Sequence, residues 1–137
     1  MEEIGFLTSD NLWDIRELPK CLLIIGGGPI GSEFAQCFSR LGSQVIQVET
    51  LPNILSREDD EISQALRQQF TSEGIDLHTN TICKAVVNEK GKQVMILEKE
   101  GQKISIKFDK LLIAVGRTAN SKGFGLENIG IKLDKNN

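Results

Sequence analysis

Three glycines at a fixed spacing and one acid further along the chain could together hold a dinucleotide. Gly26, Gly28 and Gly31 form a G-x-G-x-x-G motif, and Glu49 follows the motif at about 20 residues. The first glycine permits a tight turn, the second lets the backbone approach a diphosphate, and the third lets a helix pack closely on a strand. A carboxylate at residue 49 can accept hydrogen bonds from both hydroxyls of an adenosine ribose, and it repels a 2′-phosphate. The pattern therefore predicts NAD binding, with NADP disfavoured.

The elements that must position these residues surround the motif. An apolar run at 20–25 predicts a parallel strand buried on both faces, and Pro29 suits the first turn of a helix. Gly42 ends this helix, and a second strand is predicted at 44–49. The buried face of the helix is expected from residues at three- and four-residue spacing: Ile30, Phe34, Cys37, Phe38 and Leu41. The motif therefore lies in a strand–helix–strand unit. The alternative is a purely structural unit, in which the glycines only turn the chain and Glu49 is a solvated acid.

A second helix and a third strand are predicted next. Acidic residues at 59–61 suit the start of the helix, because negative charge is favourable there. Its buried face is expected from Ile62, Ala65, Leu66 and Phe70. Arg57, in the connector before it, could reach a 2′-phosphate if the connector folds back, although a surface arginine is the simpler interpretation.

The period of the hydrophobic pattern then changes. Three short strands across 82–108, separated by turns at 90–92 and 100–102, predict an antiparallel meander. The apolar run 110–116 is expected to return to the parallel sheet. The predicted fold class is therefore α/β, a Rossmann-like parallel sheet with flanking helices plus a three-stranded antiparallel β-meander.

Charge and composition exclude several classes of protein. The net charge of −3 gives no indication of a nucleic-acid or anionic-membrane partner. No apolar run approaches the roughly 20 residues of a membrane helix, and the acidic first residues do not resemble a signal peptide. We therefore expect a cytoplasmic location.

The three cysteines, Cys21, Cys37 and Cys83, form no close pair. An odd count without C-x-x-C spacing predicts a reducing setting, with buried thiols used as small apolar residues. The only histidine, His78, has no ligand-spaced cysteine pair near it and is expected at the surface, so no metal site is predicted.

Several segments resemble the nucleotide-binding domain of the pyridine nucleotide-disulfide oxidoreductase family of flavoproteins. LPKCLLIIGGGPIGSEFAQCFSRLGSQVIQVE at 18–49 carries the family's strand, G-x-G-x-x-G-x-E, helix and strand. LPNILSREDDEI at 51–62 is similar to its connector, and LLIAVGRTAN at 111–120 resembles its A-x-G-R-x-P-N stretch. GLENIGI at 125–131 is also typical of the family. Its dihydrolipoamide-dehydrogenase-like and mercuric-reductase-like branches are the most similar.

The resemblance implies roles for individual residues. Glu33 matches an acid near the nicotinamide and the flavin, although an exposed glutamate favoured by the helix dipole is the alternative. Cys83 is expected to contact adenine through backbone or packing rather than thiol chemistry, and Gly116 to let its loop approach the nicotinamide. Ala119 replaces the family's proline, so that turn should be looser. The full set of implied cofactor-binding residues is Gly26, Gly27, Gly28, Pro29, Ile30, Gly31, Glu33, Glu49, Cys83 and Gly116.

The resemblance also implies parts that this sequence lacks. It contains no second glycine motif for FAD, no C-x-x-x-x-C pair and no interface domain with a His–Glu acid–base pair. We therefore expect no catalytic residue in this chain, which would be inactive alone but would hold NADH for hydride transfer to FAD in a homodimeric parent oxidoreductase. The expected division is a lead-in at 1–19, the NAD(P)-binding domain at 20–118, and a tail at 119–137 leading back to an FAD domain. The alternatives are a stand-alone NAD-binding or sensing module, and a remnant that binds no ligand.

Overall fold

The computed structural model describes residues 5–121 and 123–132, so parts of the predicted lead-in and tail lie outside the described residues. Along the chain the elements are β1 (Cys21–Ile25), α1 (Pro29–Arg40), β2 (Gln44–Val48), α2 (Asp60–Ser72), β3 (Asp76–His78), β4 (Ile82–Glu89), β5 (Lys92–Lys99), β6 (Gln102–Phe108) and β7 (Lys110–Ile113). Short 3-10 helices lie at Leu12–Asp14 and Leu126–Ile129. Of the helices in this part of the chain, none is long and apolar enough to cross a membrane.

The strands form two separate sheets, which confirms the predicted fold class. A parallel sheet has the order β3-β2-β1-β7, and an antiparallel sheet has the order β4-β5-β6. The two hairpins of the antiparallel sheet turn at Lys90-Gly91 and Glu100-Gly101, where all four residues have positive φ. Such turns match the right-handed twist of the strands they join, and this explains why glycine is needed in each.

The parallel sheet is buried on both faces. Leu22 and Ile24 of β1 pack under the helices, in a cluster that includes Phe38 and Phe70. Leu23, between them, faces the other way and packs in a second cluster with residues of β5 and β6. All three β1 residues are fully buried, as the unbroken apolar run predicts for a strand covered on both sides.

The buried faces of the helices agree with the prediction in part: Phe38 and Phe70 are buried, but several other residues differ. On α2 the inward residues are Ser63, Phe70 and, in part, Leu66, whereas Ile62 is 54% exposed and Ala65 is exposed. The hydroxyl of Ser63 donates to the carbonyl of Ile54 (2.7 Å), which satisfies this polar side chain in its buried position. On α1 the buried residues are Gly31, Ser32, Ala35 and Phe38, while Cys37 and Leu41 are exposed. Small residues therefore bring α1 close to the sheet, and the prediction that Cys37 is buried is wrong.

The lead-in packs against the parallel sheet and α1. Leu7 donates its N–H to the carbonyl of Leu111 (2.7 Å) and accepts the N–H of Ile113 (2.9 Å), which adds one bridge to the outer edge of β7. Leu12 is buried, and the ring of Trp13 lies edge-on to Phe34 with 5.8 Å between the centroids. The described part of the lead-in therefore belongs to the same folded body as the sheet.

Glu73 joins the carboxyl ends of the two helices, and we expect it to make stability depend on pH. Its Oε1 accepts from the Arg40 guanidinium (2.6 Å) and from the side-chain amides of Gln69 and Gln36. The bond to Arg40, followed by those to Gln69 and Gln36, lowers the pKa of Glu73 despite the opposing effect of burial. A carboxyl whose pKa is lower in the folded state stabilises the fold above its unfolded pKa and loses this contribution as the pH falls through the folded value.

The urea midpoint of the unsubstituted chain, called the parent chain from here on, should therefore exceed that of Glu73→Gln at neutral pH. The difference between the two midpoints should shrink in acid. Emission from Trp13, the single tryptophan in a chain without tyrosine, provides the measurement. A difference that stays constant with pH would show that the charge of Glu73 does not contribute.

Candidate functional site

The carboxyl ends of β1, β2 and β7 meet at one edge of the parallel sheet. Gly26 follows β1 directly, Glu49 follows β2 directly, and Gly116 lies just beyond β7. The chain passes from β1 outward to β2 and β3 on one side, while β7 lies on the other side of β1. Ligands of open α/β sheets bind at such a reversal of strand order, outside the carboxyl ends of the strands. The fold thus brings the predicted glycines and Glu49 to a position suited to binding.

Two of the motif glycines are required by packing. A Cβ on Gly26, whose φ is 114°, would overlap the carbonyl group of Ala114. A Cβ on Gly31 would overlap the carbonyl oxygen of Gly26, because α1 descends directly onto the loop. Gly28 differs from both, since no atom of the described residues lies within 4 Å of the position its Cβ would take. The space in front of Gly28 is therefore open.

The start of α1 presents free amides to this open space. Gly28 is the N-cap residue and has no side chain with which to cap the helix. Pro29 has no N–H, and the amides of Ile30 and Gly31 lie in the first turn, where no preceding helical carbonyl is available. The helix dipole adds partial positive charge at this end. The arrangement can bind an anion.

The carboxylate of Glu49 is hydrogen-bonded to the glycine loop. Its Oε2 accepts the N–H of Gly27 (2.6 Å), and its Oε1 accepts the N–H of Leu51 (2.8 Å) and the hydroxyl of Thr50 (3.0 Å). An ionised carboxylate has about four acceptor positions, so one position on Oε2 remains free. Glu49 is half-buried and fixed in orientation beside the mouth of the loop.

The connector after β2 folds back over the loop, an arrangement that the sequence analysis considered only for the Arg57 alternative. Leu55 adopts a positive φ of 51° and donates its N–H to the carbonyl of Gly27 (2.7 Å). A Cβ on Gly27 would lie 2.9 Å from both Glu49 and Ile54, so this glycine is also required by packing. The connector and the start of α2 border an open cleft of about 330 Å³, lined by Leu51, Pro52, Asn53, Leu55, Ser56, Glu58, Asp60 and Ser63. The nearby Arg57 is exposed.

Gln47 contacts the glycine loop, and the sequence analysis did not identify it. It is fully buried on β2, and its Nε2 donates to the carbonyl of Gly26 (2.9 Å) and to the Ser32 hydroxyl (3.4 Å). The available signal was one amide in the otherwise apolar run VIQV, and the pattern alone does not say which neighbour it contacts.

The remaining predicted residues are more dispersed. Pro29 and Glu33 are exposed on α1. Gly116 has a φ of 153°, and no atom of the residues described lies within 4 Å of its Cβ position. Cys83 lies on β4, half-buried against the second core cluster, where burial raises the pKa of its thiol to about 11. It is therefore a neutral thiol, which does not favour nucleophilic chemistry. His78, predicted at the surface, has only 19% of its side chain exposed and lies 3.1 Å from Asp76.

Comparison with known proteins gives a consistent result. The profile of the pyridine nucleotide-disulphide oxidoreductase family matches residues 2–137. The chain is 39% identical to a dihydrolipoyl dehydrogenase of Thermus scotoductus and 38% identical to a mercuric reductase of Streptomyces lividans. Each match covers 96% of this chain, which spans 30% and 28% of the lengths of those two relatives.

Solved structures agree with the sequence matches. The HOCl-induced flavoprotein disulfide reductase RclA of Escherichia coli superposes with a TM-score of 0.82 at 31% identity, over 96% of this chain and 29% of that one. With a family profile that spans nearly the whole sequence, the chain belongs to the pyridine nucleotide-disulphide oxidoreductase family.

Proposed function

We propose that this chain binds NAD(H) as the nucleotide-binding part of a flavin-dependent oxidoreductase. The observation that carries the proposal is the open space at Gly28, bordered by the first-turn amides of α1 and by the carboxylate of Glu49. Among the described residues no atom lies within 4 Å of the Cβ position of Gly28, so the residues present fit a dinucleotide.

The diphosphate would be held by the start of α1. The amides of Ile30 and Gly31 lack helical partners, and the helix dipole favours negative charge at this end. Gly28 would allow the backbone to approach the phosphate oxygens without a side chain between them. Gly26 and Gly31 would contribute indirectly, by allowing the loop to fold tightly under the helix.

Glu49 would bind the adenosine ribose. The free acceptor position on its Oε2 can accept one ribose hydroxyl without breaking an existing bond. The second hydroxyl would replace the hydroxyl of Thr50, which is an exposed residue, on Oε1. Because the carboxylate would repel a 2′-phosphate, NAD is preferred over NADP, and Glu58 and Asp60 in the neighbouring cleft add negative charge nearby.

The nicotinamide half would lie toward Gly116. The N–H of Ala114 pairs with the carbonyl of Ile25, so the segment after β7 runs beside the glycine loop. Gly116 would permit close approach, with Glu33 on the exposed side of α1. When bound, NADH supplies the hydride for a flavin, and the residues of this chain position and orient the cofactor.

The relatives support an oxidoreductase that extends beyond this chain. Dihydrolipoyl dehydrogenase and mercuric reductase are both oxidoreductases, and the flavin and acceptor sites would lie in the part that the chain does not match. Val115, Phe124 and Ile129 are each about 70% exposed on the segment after β7. Large apolar side chains exposed there favour a surface covered by an FAD or interface domain of a homodimeric, cytoplasmic parent over a stand-alone sensing module.

Titration of NADH and NADPH by calorimetry tests the proposal, with Glu49→Gln as the informative variant. The parent chain should bind NADH saturably and prefer it to NADPH. Glu49→Gln keeps the size of the side chain but removes the charge. The ratio of the affinity for NADPH to the affinity for NADH should therefore rise at least about tenfold, or about 1.4 kcal/mol. Thr50→Val, which removes one hydroxyl and leaves the carboxylate, should keep the preference of the parent chain.

Two results would contradict the proposal. Absence of saturable NADH binding by the parent chain would remove the function itself. An unchanged nucleotide preference in Glu49→Gln would remove the role of Glu49 at the ribose, even if NADH still binds.

A further inference from the structure

We propose that Gln47 is a positioning residue that fixes the orientation of the Gly26–Gly27 peptide for binding of the nucleotide diphosphate. The inference rests on the proposed function and names a residue beyond the glycine motif and the ribose acid. Gln47 has no solvent exposure, so it would not contact the nucleotide and would act through the loop.

The burial of Gln47 needs an explanation, because an amide loses its water contacts in a core. Its backbone neighbours in the sheet are Ile24 and Leu77, and Val45 precedes it on the same face of β2. In the described part of the chain its Oε1 has no hydrogen-bond partner, so the NH₂ group makes the hydrogen bonds of this side chain. What Gln47 contributes is therefore a donor aimed at the carbonyl of Gly26.

Gln47 and Glu49 together hold one peptide group by its two polar ends. The carbonyl of Gly26 accepts from Gln47 (2.9 Å), and the N–H of Gly27, which belongs to the same planar peptide, donates to Glu49 (2.6 Å). The Ser32 hydroxyl links Gln47 to the glycine loop. It accepts from Gln47 and donates to the carbonyl of Gly27, each at 3.4 Å.

This peptide is one that could otherwise rotate. Gly26 has a φ of 114° and is followed by two more glycines, so the local backbone restrains the loop weakly. A rotation would turn the carbonyl of Gly26 toward the mouth of the loop, where its negative end would repel a diphosphate. The bond from Gln47 keeps that carbonyl directed into the protein, and the loop is organised for the ligand before binding occurs.

The test compares Gln47→Met with Val45→Ala in the full 137-residue chain. Methionine keeps the approximate length of the side chain and removes the donor. Val45 is 1% exposed on the same face of β2, so its truncation weakens the core without touching the loop. The two readouts are the NADH dissociation constant and the hydrogen-exchange rates of the Gly27 and Gly28 amides without nucleotide.

Gln47→Met should weaken NADH binding roughly tenfold and speed amide exchange in the loop, whereas Val45→Ala should lower the unfolding midpoint and leave both readouts unchanged. Should Gln47→Met fail to fold, Ser32→Ala removes the hydroxyl linking Gln47 to Gly27 and should shift both readouts in the same direction by a smaller factor.

If Gln47→Met matches Val45→Ala in both readouts while the parent chain binds NADH, Gln47 is structural only and the inference is overturned. If the parent chain does not bind NADH, the proposed function fails, and the exchange rates still decide whether Gln47 holds the loop.

Discussion

Gly28→Val is expected to abolish NADH binding while leaving the protein folded. In the part of the chain that the structure describes, no atom lies within 4 Å of the Cβ position of Gly28, and its φ of −75° and ψ of −179° are accessible to valine. The new side chain would occupy the space that the diphosphate needs in front of the first-turn amides. We expect at least a roughly hundredfold loss of affinity, or about 2.8 kcal/mol. Because residue 28 is the N-cap of α1, where valine is disfavoured, stability should fall by about 1 kcal/mol.

The matched control is Gly5→Val, which also places valine where no atom of residues 5–121 and 123–132 lies within 4 Å of the Cβ position. This variant should bind NADH like the parent chain. Calorimetric titration measures the affinity, and urea unfolding followed by the emission of Trp13 shows that each variant is folded. If Gly28→Val binds as tightly as the parent chain, the diphosphate does not lie at the start of α1.

Gly31→Ala is expected to have its main effect on folding. The added methyl group would overlap the carbonyl oxygen of Gly26 and would lie 3.2 Å from Nε2 of Gln47. The carbonyl belongs to the backbone and cannot move aside as a flexible side chain can, so α1 would have to shift away from the loop. We expect a loss of about 3 kcal/mol in the free energy of unfolding, measured by urea titration.

The sign of the change separates packing from helix propensity at residue 31. Replacement of glycine by alanine within a helix ordinarily stabilises a protein by about 0.5–1 kcal/mol. A stabilised Gly31→Ala would show that α1 does not press on Gly26. If Gly31→Ala loses much more stability than Gly28→Val, Gly31 is the glycine needed for packing and Gly28 is the glycine that faces open space.

Much of the fold followed from local patterns in the sequence. The run CLLII predicts a strand buried on both faces because every residue in it is apolar, and β1 is fully buried at Leu22, Leu23 and Ile24. The pairs Lys90-Gly91 and Glu100-Gly101 mark tight hairpin turns, because glycine readily adopts positive φ. The spacing of Gly26 and Glu49 places them at neighbouring strand ends, since both strands run in the same direction.

The parts that were missed depend on contacts between distant residues. Hydrophobicity alone favours Ile62 for the buried face of α2, yet Ser63 faces inward, where its hydroxyl donates to the carbonyl of Ile54. Leu55 has no local reason to adopt positive φ, and its bond to Gly27 compensates for that conformation. Gln47 donates to the carbonyl of Gly26 in the loop beneath α1, and the alternation of residues along β2 does not indicate this contact.

The bridge made by Leu7 has a consequence for self-association. An outer strand with free backbone groups is a template on which another chain can add a strand, and this is a common route to aggregation. Leu7 occupies the carbonyl of Leu111 and the N–H of Ile113, both at the open side of β7, while the opposite outer strand, β3, is only three residues long. The segment before β1 therefore shields the most apolar border of the sheet from intermolecular pairing, and its removal would leave that border available to a second molecule.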